Sequence, residues 1–322
     1  MYTAIKEGSK MSNLIHVKNT QIVESDNRIS DLMSSFISFV DASDKTIALY
    51  KKALNKFFAY LADNGIQAPK RDDILNYKSY LLEHHKPATA QTYMVAVRLF
   101  FRWTAQEDLY KNIADNIKSV KVSKLHKKDY LTANQVKEIL ASIDVSTIQG
   151  ARDNAMFFLM VTCGLRDIEV SRANIEDLRT LGADTVLYVH GKGRTEKAEF
   201  VKITSAVEKQ IRAYLKVRKA SDSKEPLFTS LSNNSQGKRL STRSISGIVK
   251  TVMVKAGFNS ERLTAHSLRH TAVTLSLLAG NSLNDVRGYA RHSSLDTTNI
   301  YNHTFDMLAN NCAQSVTDAI LN

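Results

Sequence analysis

Helix breakers are scarce in this sequence: three prolines and twelve glycines in 322 residues, against usual shares of about 5% and about 7%. Their scarcity excludes collagen-like and low-complexity chains and favours long helices. Cysteine is nearly absent as well. Cys163 and Cys312 can build neither a disulfide framework nor a zinc ribbon, and they form no CxxC motif, which points to a reducing cytoplasm. The apolar run of about 18 residues that a membrane helix needs is missing, and residues 1–19 hold no signal-type apolar core, so membrane spanning and secretion are unsupported. Met11 is an alternative start. Acidic residues are the minority, 32 Asp+Glu against 44 Lys+Arg, for a net charge of +12. With 43% hydrophobic and 24% charged residues the chain is globular rather than disordered, long enough for about two domains, and its charge favours a polyanionic partner.

In 45–65 the residues Ile47, Tyr50, Leu54, Phe57, Phe58 and Leu61 recur at helical spacing and end at Gly65, which predicts an amphipathic helix. The same reading gives helices over 28–40, 72–83 and 89–106, a small all-α domain. Next comes a basic stretch with Lys118, Lys121, Lys124, Lys127 and Lys128 and no acid until Asp129, read as an extended linker. Charge splits nearly evenly, +7 in 1–128 and +5 in the remainder, so two basic domains joined by a basic linker could straddle a duplex. Lysine runs are also ordinary solvated surface, and charge alone leaves the matter even.

Beyond the linker, Thr132 to Gln135 is a capping box ahead of Val136, Ile139 and Leu140, and a further helix fits 151–163. The period then changes to two β-rich runs, 186–190 and 199–203, flanking a basic tip with Lys192, Arg194 and Lys197, which reads as a hairpin. Ser205 to Glu208 reads as a second capping box, and helices follow to 220 and over 242–256, 266–279, 283–290 and 295–303. The expected class is mainly α with a small antiparallel sheet.

His266, Arg269 and His270 stand at i, i+3 and i+4 of one helix and so share a face. Two such histidines could ligate zinc, but Ser267 stands where a metalloprotease has its glutamate and no further ligand is near. A capped helix with a solvated polar face is the plainer alternative. A histidine with an arginine also suits an oxyanion, because the guanidinium offers a planar charged fork. Arg166, in Gly164-Leu-Arg166-Asp-Ile-Glu169, is a second such group, oriented by Glu169 or simply paired with it at the surface. Downstream, His292 and Tyr301 lie nine residues apart. Tyr301 is either a buried aromatic or a nucleophile. At an ordinary value near 10 a phenol is only about 0.1% ionised at neutral pH and needs cations beside it to attack phosphorus.

In combination and in order, the GLRxxE run at Arg166, the GKG tip at Lys192, HxLRH at His266 and Arg269, and HSSxxTTxxY from His292 to Tyr301 resemble the tyrosine recombinase (phage integrase) family, most closely its two-domain Xer-like members, over residues 28–315. The resemblance implies an extension over 1–27, a helical core-binding domain over 28–117, a linker over 118–130 and an α+β catalytic domain over 131–322 with a docking helix at its end. It implies that Tyr301 attacks the scissile DNA phosphate to give a 3′-phosphotyrosyl link and a free 5′-hydroxyl, with no metal and no cofactor. Arg166 and Arg269 would hold the non-bridging oxygens, Lys192 would protonate the leaving oxygen with Arg194 or Lys197 as substitutes, His266 would act as base or orienting group, and His292 would bond the phosphate. Lys118, Lys121, Lys124, Arg194, Arg243 and Arg291 are the candidate DNA contacts. The implied partners are duplex DNA with inverted-repeat core sites, a homotetramer on two duplexes and DNA-bending accessory proteins, in the cytoplasm of a prokaryote and on its nucleoid, with no membrane and no separate arm-binding domain. Departures from the family motifs favour a mobile-element or invertase role, the integration, excision or inversion of a DNA element, over dimer resolution; the choice among these outcomes and the site sequence are not legible.

Three departures from the pattern stand out. Arg291 precedes His292 where relatives usually carry glycine, so that turn differs or Arg291 adds a phosphate contact. Asp167 follows Arg166 where a small or apolar residue is usual, and Asn112-Ile113 stands where Asn-Pro is common. Two other functions compete: a sequence-specific DNA-binding protein that lost the reaction, and a metal-dependent phosphodiesterase using His266, His270, His292 and His303.

Overall fold

A computed structural model describes residues 26–122, 129–190, 199–291 and 311–321. Contacts divide the chain into two compact units, the first ending at Ser123 and the second starting at Lys124.

The first unit is helical: α1 (Asp26–Phe39), α2 (Asp44–Asp63), α3 (Arg71–His84) and α4 (Pro87–Gln106). The Oγ of Ser43 accepts the Thr46 N–H at 3.4 Å and starts α2, while Pro87 opens α4 at a position where a missing N–H is no loss. The stripe expected on α2 is the one that is buried. Leu54, Phe57, Phe58 and Leu61 lie inside, with Ile47 and Tyr50 half-buried at the helix start. The Phe57 ring lies 5.0 Å from Tyr77 of α3 and 5.8 Å from Phe101 of α4, both nearly edge-on, a geometry the ring quadrupoles favour. Each such side chain contributes about 1.5–3 kcal/mol by leaving water.

The start of the expected linker belongs to this unit. Ile117 and Val120 are buried in its core, and Lys78 Nζ donates to the Lys118 carbonyl at 2.7 Å. An apolar residue between the lysines is enough to anchor the segment, so Lys118 and Lys121 are exposed on a docked strand of chain rather than on a free span. Lys124, Lys127 and Lys128 lie outside the described residues.

The second unit contains α5 (Ala133–Ala141), α6 (Ile148–Cys163), α7 (Asp167–Arg172), β1 (Leu178–Leu181), β2 (Asp184–Val189), β3 (Glu199–Ile203), α8 (Ser205–Arg218), α9 (Thr242–Lys255), α10 (Ala265–Leu278), α11 (Leu283–Ala290) and α12 (Cys312–Leu321). α6 is buried almost all round, as expected of a helix apolar on every face, and it packs on α8, α10 and β3. The sheet is antiparallel in the order β1-β2-β3, with Leu178 opposite Leu187 and Val189 opposite Glu199. Leu187, Val189, Val201 and Ile203 turn into the core. The strand β1 is invisible in the sequence because its side chains are mostly exposed; pairing with β2 makes it.

The Thr132 capping box forms, with Thr132 N donating to Gln135 Oε1 at 2.9 Å and Gln135 N to Thr132 Oγ1 at 3.3 Å. The one expected at Ser205 does not. Thr204 is the residue before the helix, so Ser205 already lies in its first turn, and Glu208 accepts from Thr185 Oγ1 and Arg212 Nε, each at 2.7 Å. The hairpin tip 191–198 and the helix expected over 295–303 lie outside the described residues.

Candidate active site

The site starts at a helix end. α6 stops at Gly164 in the left-handed region, φ 58° and ψ 33°. A Cβ there would meet Ala272 Cβ at 3.5 Å and Tyr289 Cε1 at 3.6 Å, ordinary contacts, so the backbone angle rather than crowding calls for glycine. The turn leaves carbonyls at the end of α6 without helical partners. Tyr289 Oη donates to the Thr162 carbonyl at 2.5 Å, and burial pushes the Tyr289 phenol well above its ordinary value, keeping it a donor. The Gly164 carbonyl accepts from Arg269 Nη1 at 2.6 Å and from Arg291 Nη2 at 3.3 Å.

The end of α11 is treated in the same way. Arg269 Nη2 donates to the Ala290 carbonyl, Arg166 Nη2 to the Arg291 carbonyl at 3.2 Å, and Arg291 Nη1 to the Tyr289 carbonyl at 2.9 Å. Cations at two helix C-termini are favoured by the partial negative charge of the orphan carbonyls. Arg166 and Arg269, from α7's N-cap and from α10, thus hold the carbonyls of two consecutive residues, Ala290 and Arg291, immediately before His292.

Glu169 organises the charges. Its side chain is fully buried; Oε2 accepts the Arg166 backbone N–H at 2.8 Å and Arg291 Nη2 at 2.8 Å, while Oε1 accepts Arg166 Nη1 at 2.9 Å. Burial alone would raise this carboxyl, but the Arg291 charge, the Arg166 N–H and the two guanidiniums together hold it below the ordinary carboxylate range. The Arg166 side chain is 31% exposed and is therefore within reach of an incoming anion, whereas Arg269 is 2% exposed. Burial pushes the Cys163 thiol up to about 11, a neutral core residue beside the site.

The helix carrying His266, Arg269 and His270 forms, but the three do not present one common face to solvent. His266 is exposed, while Arg269 and His270 are buried, with His270 Nδ1 at 3.3 Å from Thr274 Oγ1 and its ring 5.7 Å from that of Tyr130. Residues about one helical turn apart here straddle the edge between core and water, and the packing of α10 on α6 puts Arg269 on the core side. Arg291 differs from expectation too: its side chain is 5% exposed and meets Glu169, because a fully buried carboxylate attracts it more than water does. Asp167 sits in the first turn of α7 with its carboxyl raised by burial. Arg243 is exposed on the first turn of α9. Lys192, Arg194, Lys197, His292, Tyr301 and His303 lie outside the described residues. Sequence reasoning missed the backbone acceptors of the network, the carbonyls of Thr162, Gly164, Tyr289 and Ala290, which leave no residue signature, and it missed the Tyr289 hydroxyl, whose partner is one of those carbonyls.

Residues 129–307 match the phage integrase family, and residues 36–108 match its N-terminal SAM-like domain. The tyrosine recombinase XerC of Leptospira interrogans serogroup Icterohaemorrhagiae serovar copenhageni is 31% identical over 290 residues, 86% of this chain and 90% of that protein. The chain belongs to the phage integrase family of tyrosine recombinases. The XerH site-specific recombinase, solved on a palindromic difH substrate after cleavage, shares the recombinase's fold with a TM-score of 0.72 at 22% identity, over 95% of this chain and 93% of that one. A lambda integrase tetramer bound to a Holliday junction matches with a TM-score of 0.67 at 14% identity, over 93% and 82%. Among the described residues of this recombinase no helix is long and apolar enough to cross a membrane.

Proposed function

We propose that this tyrosine recombinase exchanges strands at inverted-repeat core sites in duplex DNA through a 3′-phosphotyrosyl intermediate. The observation that carries the reading is the meeting of Arg166 and Arg269 on the carbonyls of Ala290 and Arg291, which sets two guanidiniums at the entrance of the segment that ends in Tyr301. In the proposed reaction the Tyr301 hydroxyl gives up its proton, His266 being the candidate acceptor or orienting group. Its oxygen bonds to phosphorus, and the bond to the 5′-oxygen breaks. Lys192 donates a proton to that oxygen. Arg166, Arg269 and His292 stabilise charge on the non-bridging oxygens. Attack by a partner strand's 5′-hydroxyl reverses the step, so the phosphodiester energy is conserved and no cofactor enters.

The exposed lysines Lys118 and Lys121, with Lys124, and Arg243 and Arg194 would follow the DNA backbone. Every residue of α12 is exposed, Val316 at 59%, Ile320 at 75% and Leu321 at 79%, which supports seating of this helix in a neighbouring protomer of a tetramer spanning two duplexes. The work of such a protein lies in the bacterial cytoplasm, where DNA-bending partners are at hand.

The test uses duplexes selected from a random-sequence pool by binding to the full chain, then nicked at successive positions so that a cleaved end diffuses away. A covalent protein–DNA adduct formed in EDTA and absent in Tyr301→Phe is expected. Salt-sensitive binding with no adduct on any nicked duplex would reject the assignment.

A further inference from the structure

Of the guanidiniums gathered at Gly164, that of Arg291 has no role in the proposed reaction. Its backbone is left-handed, φ 53° and ψ 46°, a region that favours glycine and disfavours a long side chain. Such a conformation persists where surrounding contacts over-determine it. Here they do: Nη2 sits 2.8 Å from Glu169 Oε2 and 3.3 Å from the Gly164 carbonyl, and Nη1 sits 2.9 Å from the Tyr289 carbonyl. The Nε is buried without a hydrogen-bond partner among the described residues, so the fit serves the two terminal nitrogens.

The consequence is a matter of counting charge. One buried carboxylate beside one arginine makes a neutral pair. Glu169, however, is shared, Oε1 to Arg166 and Oε2 to Arg291, and the three groups together carry an excess positive charge. The only one of the two guanidiniums with appreciable exposure is Arg166, 31% against 5%, so that excess faces outward at Arg166.

We propose that Arg291 is a positioning residue for strand cleavage: by occupying half of Glu169 it leaves Arg166 net positive toward the scissile phosphate, and through its own carbonyl it fixes Arg166 against the segment leading to Tyr301. The proposal rests on the reading of Arg166 as a phosphate ligand. Arg291 acts through Glu169 and Arg166 and does not itself reach the DNA.

The rate of covalent adduct formation on the nicked selected duplex, affinity for the intact duplex, and thermal melting are measured for the full chain and for Arg291→Gly, Arg291→Lys and Arg291→Gly with Glu169→Gln. Glycine suits the backbone angle, and Arg291→Met, which keeps volume without charge, takes its place should the glycine variant show no cooperative melt. Adduct formation in Arg291→Gly is expected to slow by about ten- to a hundredfold at unchanged affinity, because Glu169 then neutralises Arg166 alone. Arg291→Lys should fall between. Adding Glu169→Gln to the glycine or methionine variant should speed cleavage severalfold while lowering the melting temperature further, a reversal that a purely structural role does not produce. An unchanged rate in Arg291→Gly, or a double variant no faster than the single one, overturns the proposal and leaves the recombinase reading intact; absence of an adduct in the unmutated chain overturns both.

Discussion

Both units of this recombinase have an apolar core, but only the second buries charged side chains among the described residues. In the first, the described core is aromatic and aliphatic, from Phe36 through Phe57 and Tyr77 to Trp103, with Thr104 the buried polar exception among the described residues. In the second, Arg152, Asp153, Glu169, Arg269 and His270 lie inside as well. Burying charge is expensive unless every group is paired, and here Arg152 pairs with Asp153 at 2.7 Å, Arg269 with the helix-end carbonyls of Gly164 and Ala290, and Glu169 with Arg166 and Arg291. The contrast teaches that the interior of the first unit serves packing, whereas the second fixes buried charge in one geometry, the preorganisation that the proposed reaction at a phosphate would use.

Substitutions in the two units should therefore separate folding from chemistry. The largest effect is expected from Tyr301→Phe: complete loss of the covalent adduct, with duplex affinity by gel shift and melting temperature unchanged. An accompanying loss of stability would blur the contrast. On the other side of it, Phe57→Ala should destabilise the first unit by about 3–5 kcal/mol, read from denaturant midpoints, while cleavage per folded molecule stays as it was. Arg166→Ala should slow adduct formation by about a hundred- to a thousandfold with a small change in melting; a large melting change instead would make Arg166 a structural residue like those of the first unit.

Gly164→Ala sharpens the comparison at its boundary. Space exists for the methyl group, so the expected loss of about 1–2 kcal/mol comes from forcing a left-handed angle on an L-residue, and thermal melting measures it. The smallest effect concerns pH. Because Glu169 is held below its ordinary range, its stabilisation is present at neutral pH and above the unfolded value of about 4.3, and it is lost as pH falls through the lower folded value. The melting difference between the unmutated chain and Glu169→Gln should accordingly shrink in acid, and a gap that persists there would show that the carboxylate charge is not what Arg166 and Arg291 use.

How much was legible follows from the same physics. The stripe on α2 and the box at Thr132 could be read because helical period and capping are local, set within a few residues. The box at Ser205 read well and did not form, since Thr185, on a strand twenty residues earlier, offered Glu208 a better partner. β1 escaped because its exposed side chains carry no alternation, and the docking of Val120 on the first unit was hidden beneath the lysines around it.

By itself the sequence determined the helical class and the family and proposed the groups that would act on a phosphate, because residue types and spacings are written along the chain. It could not say which way each group points. Only the tertiary structure placed Arg291 inward on Glu169, separated exposed His266 from buried His270, and brought Arg166 and Arg269 to adjacent carbonyls at the end of α11. Those outcomes depend on which helix ends meet and which carbonyls they leave unpaired, and unpaired carbonyls exist only once the chain has folded.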